Sequence, residues 1–330
     1  MKLSGFARLG LLAAVLSLAA TGSLHAQNWP SKPLRIVVGF PPGVPPELAA
    51  RALAESMSGT LGQPIVVETR PGAAATIAAA SVAQAAPDGY TLLMALAANM
   101  SSGPHLMPSA KYDPVKSFTH IGFIQRGAYF LGVRSDLPIT SVRELLAYAN
   151  ANPGKLNAAI PGLGSMHHLT WELLMEQTGM KVTLVPVAGT AQAITEVLGG
   201  RIELFMDGPG ANYTSQVKSG KMRWLAQTSD RRLSFNPDVL TLSEAGVPGF
   251  SSASWWGMSA PADTPAPIVA RVNAALGAAL ATAAVRDRLK LEGVSEENMR
   301  PGTPEEMAKW VEAEYLRWGK LIKARNISIK

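Results

Sequence analysis

The stretch LRIVVGFPPGVPPEL, residues 34–48, joins a short apolar run to a proline-rich turn. The run from 34 to 40 is rich in Val and Ile, which is typical of a buried strand. The four prolines after it carry no N–H and restrict the backbone, and Pro45 or Pro46 fits the first position of a helix. The stretch therefore predicts a strand, a rigid turn with few backbone donors and a helix, in that order.

The same alternation of short apolar runs and longer helical segments continues to residue 227. It predicts strands at 34–40, 64–68, 91–95, 121–125, 130–134, 156–160, 182–187, 202–207 and 223–227. Helices are predicted at 47–61, 76–86, 141–150, 165–178 and 191–198, and the part from 265 onward is predicted to be mostly helical. A capping signal at Thr303 to Glu306 precedes the final helix. Strands that alternate with helices predict an α/β protein whose parallel sheets are covered by helices.

Composition limits the classes of partner. The chain has 330 residues, of which 47% are hydrophobic, so it can bury a large core and divide into two lobes. Its formal net charge of +6 is spread along the chain without a run of Lys or Arg. Nucleic acid and anionic membranes are therefore not expected as partners. The absence of cysteine excludes disulfides.

The first 26 residues, MKLSGFARLGLLAAVLSLAATGSLHA, resemble a secretory signal. Lys2 and Arg8 precede an apolar run, and small and polar residues follow it up to Ala26. A membrane anchor is the alternative, but the run is shorter than the roughly 20 residues that a bilayer requires. We expect cleavage after about Ala26 and, in a Gram-negative bacterium, a periplasmic protein.

A second strand-to-helix junction lies in IPGLGSMHH, residues 160–168. Gly162 and Gly164 permit positive φ, and Ser165 is placed to cap the helix that follows. The free N–H groups and the dipole of such a helix start attract a carboxylate or phosphate. An ordinary capped turn is the alternative for this stretch. In open α/β sheets, ligands bind where such junctions gather, at the carboxyl edge of the strands.

The same residues do not fit the common catalytic patterns. A nucleophile elbow requires glycines two positions before and after the serine, but Leu163 and His167 flank Ser165 there. The adjacent His167 and His168 point to different faces of a helix, so they make poor joint metal ligands. We predict no metal, no cofactor and no catalytic residue.

Several longer stretches then identify a family. They include WPSKPLRIVVGFPPG, LGQPIVVETRPGAAATIAAASVAQAAPDGYTLL, PGKLNAAIPGLGSMHHLTWELL and SSASWWGMSAPADTP. On these stretches the chain resembles the periplasmic solute-binding proteins of tripartite tricarboxylate transporters, the Bug receptors. The resemblance extends from about Trp29 to Ile329.

The resemblance implies a two-lobed periplasmic binding protein fold of type II. Each lobe is expected to be a mixed, mostly parallel sheet flanked by helices, with two crossover segments between the lobes. We expect residues 27–125 and 250–330 in lobe one and 126–249 in lobe two. The implied partners are a small organic acid and the large and small membrane subunits of a permease, with the receptor as a monomer. The alternatives are a receptor that feeds a periplasmic sensor kinase and an exported α/β hydrolase that uses Ser165 and His168.

The resemblance also implies which residues hold the ligand. They are the residues that match the two ligand loops of the family: Pro42, Gly43, Val44, Glu47, Gly162, Gly164, Ser165 and His168. Further wall positions are expected at Ser101, Ser102, Gly189, Thr190 and Asp207. Trp255 and Trp256 are expected to line or brace the cleft on its hinge side.

Departures from the family pattern bear on the ligand. Val44 stands where the family has a glycine and Pro46 where it has a hydroxyl, while Ile160 and Pro161 replace small or hydroxyl residues. A polar group buried without a partner costs about 1–3 kcal/mol, so these changes disfavour a highly hydroxylated ligand such as citrate. We predict an aromatic (di)carboxylate such as terephthalate, or a weakly polar aliphatic diacid.

Overall fold

Two mixed sheets form the frame of the protein in the computed structural model, which describes residues 29–107 and 110–329. The first sheet contains β1 (Leu34–Val38), β2 (Ile65–Thr69), β3 (Thr91–Leu96), β4 (Phe118–Ala128) and β10 (Ala253–Pro261). The second contains β5 (Phe130–Arg134), β6 (Asn157–Ile160), β7 (Thr183–Pro186), β8 (Leu204–Asp207) and β9 (Met222–Gln227). The predicted signal peptide, residues 1–26, lies outside the described residues.

Both sheets have the same topology. The strand order is β2-β1-β3-β10-β4 in the first and β7-β6-β8-β5-β9 in the second. In each sheet one strand, β10 or β5, is antiparallel to both of its neighbours, and the other strands run in a common direction. The predicted fold class, two mixed and mostly parallel sheets flanked by helices, is confirmed.

Helices cover the sheets on both faces. They are α1 (Pro45–Leu61), α2 (Thr76–Ala83), α3 (Gly103–Leu106), α4 (Val142–Ala151), α5 (Met166–Thr178), α6 (Thr190–Leu198), α7 (Ala211–Lys218), α8 (Ala266–Leu280), α9 (Ala283–Leu291) and α10 (Pro304–Ala324). A π-helical turn at Ala98–Ser102 precedes α3. Within the described part of the chain, no single helix is long and apolar enough to cross a membrane, although α8 and α9, bent by 74°, pass that test as a pair.

Side chains that alternate along a strand pack into hydrophobic clusters on opposite faces of the sheet. Ile36 and Val38 of β1 belong to the hydrophobic cluster beneath α1 and α8, whereas Val37 points to the opposite face. The cluster on that opposite face continues into the second sheet, where it includes Leu131 of β5 and Trp171 of α5. The two sheets therefore share a continuous apolar core on one side.

Sequence periodicity predicts most of the helices and strands but misses the strand β10 and the helix α7. The segment ASWWGMSAP of β10 has no regular period of two, since its partly buried and buried residues do not alternate. The helix α7 is short and polar, and Tyr213 is its buried residue. Neither segment carries the apolar period that identifies an amphipathic element.

The chain passes between the sheets twice. Tyr129 separates β4 from β5, and residues 228–252 lead from β9 back to β10. The predicted lobe boundary at 125 falls inside β4, and the boundary at 250 falls in the returning segment just before β10.

Candidate functional site

A cavity of about 750 Å³ lies between the two sheets. On the side of the first sheet its wall includes Phe40, Gly43, Pro45, Pro46, Trp256 and Arg288. On the other side it includes Tyr129, Pro161, Ser165, His167, Thr190 and Asp207. The proline turn after β1 and the glycine-serine loop after β6 therefore face one shared cavity.

The proline turn is held by its own acidic residue. The helix α1 begins at Pro45, as the sequence predicts, and Val44 before it is extended and offers no side-chain cap. Glu47 replaces that cap: its Oε2 accepts a hydrogen bond of 2.9 Å from the N–H of Gly43, and its other oxygen pairs with Arg51. The N–H of Glu47 donates to the carbonyl of Val44 at 3.0 Å. The N–H groups of Gly43 and Glu47, two of the predicted ligand residues, are thus engaged within the turn.

The glycine-serine loop is braced in a similar way. Gly162 has φ of 109° and Gly164 has φ of 76°, as the two glycines predict. The hydroxyl of Ser165 caps α5 by accepting from the N–H of His168 at 3.2 Å, and it donates to the carbonyl of Gly162 at 2.8 Å. The N–H of Gly164 donates to Nδ1 of His168 at 2.9 Å. These bonds fix the loop that forms one wall of the cavity.

His168 points away from the cavity. Its Nε2 lies 3.6 Å from a carboxylate oxygen of Glu172, and Glu172 pairs in turn with Arg325. These three residues line a separate cavity of about 620 Å³ beside α5 and β7. With Nδ1 engaged by Gly164 and Nε2 facing Glu172, His168 braces the loop and is not placed to act as a base on the Ser165 hydroxyl.

The neighbouring His167 occupies the cavity wall instead. Its Nε2 donates to Oδ1 of Asp207 at 3.0 Å, and its ring centroid lies 4.5 Å from that of Tyr129. Oδ1 also accepts from the N–H of Gly208 at 2.8 Å, and Oδ2 accepts from the hydroxyl of Thr190 at 2.8 Å. Sequence reasoning considered His167 only as a metal ligand and missed it here. His167 and His168 both lie in the first turn of α5, so no local sequence signal distinguishes them.

Opposing effects act on the carboxylate of Asp207. Burial by itself would raise the pKa of Asp207. The charge and hydrogen bond of His167, with the hydrogen bonds from Thr190 and Gly208, outweigh burial and hold the pKa of Asp207 below its ordinary value. This wall therefore presents an ionised carboxylate whose two oxygens are already bonded to the protein.

The other predicted residues lie around the cavity or behind its wall. Ser101 and Ser102 are fully buried in the π-helical turn, and Ala97 and Ala98 before them line the cavity. Gly189, with φ of 115°, is the cap residue before α6 and places Thr190 on the wall. Neither Pro42 nor Gly162 is among the wall residues.

Apolar groups form much of the remaining wall. Pro46 and Pro161 line the cavity, whereas Val44 does not, and Ile160 is buried in β6. Trp255 and Trp256 both line it. Trp255 is 1% exposed, and its ring packs edge-on against Phe123.

Metal binding has no support in the part of the chain that the structure describes. No group of three or more His, Asp or Glu side chains is placed there to hold an ion. The arrangement can instead surround a small ligand with backbone groups, several hydroxyls, a histidine and apolar side chains.

Comparison with known proteins identifies the family. Residues 49–327 match the family described as the tripartite tricarboxylate transporter family receptor. The chain belongs to this family. The family consists of solute receptors and not of enzymes, which agrees with the bracing role of Ser165 and His168 and implies a periplasmic location.

Solved structures of similar sequence share the fold. The receptor is 35% identical to the periplasmic binding protein BugD, with a TM-score of 0.72 over 92% of this chain and 100% of that one. It is 34% identical to Rpa4515 of R. palustris with adipate, with a TM-score of 0.75 over 91% of this chain and 99% of the other. It is 33% identical to MatC of Rhodopseudomonas palustris with bound malate, with a TM-score of 0.72 over 89% of this chain and 100% of the other.

Proposed function

We propose that this receptor binds a small organic carboxylate in the cavity between its sheets and delivers it to a membrane permease of one large and one small subunit. The observation that supports this most is that two strand-to-helix junctions, at residues 40–47 and 160–168, face one cavity of about 750 Å³. Helix starts favour anions, and a cavity of this size suits a small molecule. The related Rpa4515 and MatC, solved with adipate and malate, support a carboxylate ligand.

The proposed ligand is an aromatic or weakly polar dicarboxylate. Pro46, Pro161 and Trp256 give the wall apolar surface, which favours a ligand whose body has few hydroxyl groups because unmatched polar groups lose their hydrogen bonds to water. Adipate, the ligand in the Rpa4515 structure, is an aliphatic diacid of this kind. Terephthalate and adipate are therefore expected to bind more tightly than citrate.

Among the predicted site residues we propose three roles. Gly43, Ser165, Thr190 and Asp207 lie on the wall and contact the ligand or its bound water. Glu47, Gly164 and His168 hold the two loops in place through the hydrogen bonds described above. The remaining residues, Pro42, Val44, Ser101, Ser102, Gly162 and Gly189, shape the turns behind the wall.

The organisation of the mature protein is part of the same proposal. Cleavage after about Ala26 releases the receptor into the periplasm as a monomer. One lobe contains 27–125 with 250–330, and the other contains 126–249. Mass spectrometry of protein purified from the periplasm, which gives the mature N-terminus, checks the cleavage site directly.

A thermal-shift and calorimetry panel tests the ligand. The mature receptor is titrated with adipate, terephthalate, malate, citrate and aspartate. Binding at 100 times Kd stabilises the folded state by about 2.7 kcal/mol, so a ligand raises the melting temperature visibly. Stabilisation by citrate or aspartate alone contradicts the weakly polar ligand, and stabilisation by no carboxylate contradicts the proposed function.

Uptake measurements test the partner. Cells lacking the receptor gene, and cells lacking the genes of the two permease subunits, are compared for uptake of the ligand that the panel identifies. We expect both deletions to abolish receptor-dependent uptake. Unchanged uptake without the permease genes contradicts delivery to that permease.

A further inference from the structure

Arg288 brings a full positive charge to the cavity wall. It lies near the end of α9, and among the described residues that line the cavity it is the one Lys or Arg side chain. Its Nη2 donates to Oε1 of Glu292, one helical turn later, which also lines the cavity. Its Nε is buried and has no hydrogen-bond partner among the described residues. An unpaired donor on a charged group is costly to bury.

The geometry of the guanidinium indicates which kind of group the unpaired Nε can bind. Nε and Nη2 lie on the same edge of the planar group, and that edge matches the two oxygens of a carboxylate. Glu292 engages Nη2 and leaves Nε unpaired. Of the two donors on the edge of Arg288 that suits a carboxylate, Nη2 is therefore bonded within the protein and Nε is not.

Around this position negative charge exceeds positive charge. The segment after α9 packs against the loop after β8, since a Cβ on Gly293 would lie 2.8 Å from the carbonyl carbon of Pro209. Glu292 thereby comes near Asp207: burial, opposed by Arg288 and reinforced by the charge of Asp207, raises the pKa of Glu292. Two carboxylates share this part of the wall with one guanidinium, so an additional carboxylate needs Arg288 as its counter-ion.

We propose that Arg288 exchanges Glu292 for the second carboxylate of a dicarboxylate ligand and so selects dicarboxylates over monocarboxylates of the same carbon skeleton. The first carboxylate is held at the helix-start loops, and the second reaches the end of α9. This inference rests on the proposed function and adds to it the residue that sets the ligand's charge.

Calorimetry with matched ligand pairs tests the selection. The pairs are adipate with hexanoate and terephthalate with benzoate, each differing by one carboxylate. For the Arg288→Gln variant we expect the affinity for the dicarboxylate to fall roughly 10- to 100-fold, as for loss of a charged hydrogen bond. The affinity for the monocarboxylate is expected to change less than about threefold. The control is Arg286→Gln on the same helix, because Arg286 pairs with Glu296 outside the cavity wall.

A second variant keeps the inference testable if Arg288→Gln does not fold. Glu292→Gln removes the competing carboxylate, so we expect it to raise the affinity for the dicarboxylate at least about threefold and more than for the monocarboxylate. A lower dicarboxylate affinity in Glu292→Gln overturns the inference. Equal losses for both ligands of a pair in a folded Arg288→Gln do the same. If the unaltered receptor binds no carboxylate of the thermal-shift panel, the proposed function fails with it; if it binds the dicarboxylates without the expected variant effects, the role of Arg288 alone is overturned.

Discussion

Asp207 is the most heavily bonded side chain on the cavity wall. It accepts hydrogen bonds from His167, Thr190 and Gly208. At the residue scale, Asp207→Asn replaces one accepting oxygen by an NH₂ group that must face a donor. We expect the free energy of unfolding to fall by about 1–3 kcal/mol, measured by urea denaturation at pH 7. Asp238→Asn is the control, since Asp238 is exposed.

The carboxylate of Asp207 also makes the stability of the folded receptor depend on pH. The pKa of Asp207 is lowered in the folded protein, so its stabilisation is present above the unfolded-state pKa and is lost as the pH falls through the folded-state pKa. Asp207→Asn is therefore expected to lose less stability on acidification than the unaltered receptor. An equal loss of unfolding free energy on acidification in both proteins would contradict the ionised state of Asp207.

His120 gives a second prediction at the residue scale, away from the cavity. Its ring on β4 is buried, 2.9 Å from the hydroxyl of Ser259 on β10 and 3.2 Å from the carbonyl of Pro114. Burial lowers the pKa of His120 from 6.5 to about 4, although the Pro114 carbonyl opposes this. Between these values the unfolded chain binds a proton that the folded protein does not bind, so stability falls as the pH falls.

The His120→Gln variant isolates this effect. It removes the titrating ring while retaining polar atoms. Between pH 7 and a pH near 4 we expect the unaltered receptor to lose about 3 kcal/mol more unfolding free energy than His120→Gln. Denaturant titrations at the two pH values measure the difference, and equal losses in the two proteins would show that His120 is not buried in its neutral form.

At the element scale, the last helix offers a test of local sequence signals. Thr303 Oγ1 accepts from the N–H of Glu306 at 3.1 Å, and Oε2 of Glu306 accepts from the N–H of Thr303 at 3.1 Å. This is the capping box that the sequence predicts, with Pro304 at the helix start. Thr303→Ala is expected to lower the unfolding free energy by about 1 kcal/mol. Thr303→Ser, which keeps the hydroxyl, should remain close to the unaltered receptor in the same denaturation experiment.

At the scale of the whole molecule, the C-terminal segment connects the two sheets. The helix α10 packs on β4 of the first sheet and also touches α5, which belongs to the second. Arg325, just after α10, pairs with Glu172 of α5, whose side chain is 15% exposed. The ion pair therefore joins elements that lie on different sheets.

A double-mutant cycle measures that connection. Unfolding free energies are compared for Glu172→Gln, Arg325→Gln and the double variant. We expect a coupling energy of about 1 kcal/mol, at the upper end for a partly exposed pair. Arg232 and Glu244, which pair at exposed positions within the segment 228–252, serve as the comparison cycle. A coupling near zero would show that the pair does not tie the C-terminal segment to α5.

Much of the fold follows from the sequence because its signals are local. Pro45 begins α1, Ser165 caps α5, and Thr303 opens α10, as neighbouring residues predict. Each depends on backbone groups within about four residues, where residue type controls φ and the first hydrogen bonds. The stretches that resemble the receptor family extend this local information to the fold class and to the carboxylate-binding class of function.

The tertiary structure decided the features that depend on distant residues. It placed β10 between β3 and β4, although its own segment has no clear period. It turned His167 toward Asp207 and His168 toward Glu172, and it brought Arg288 to the same cavity as Ser165. Adjacent histidines are equivalent as local signals, and only the packing of α5 against elements far along the chain determines which of them faces the cavity.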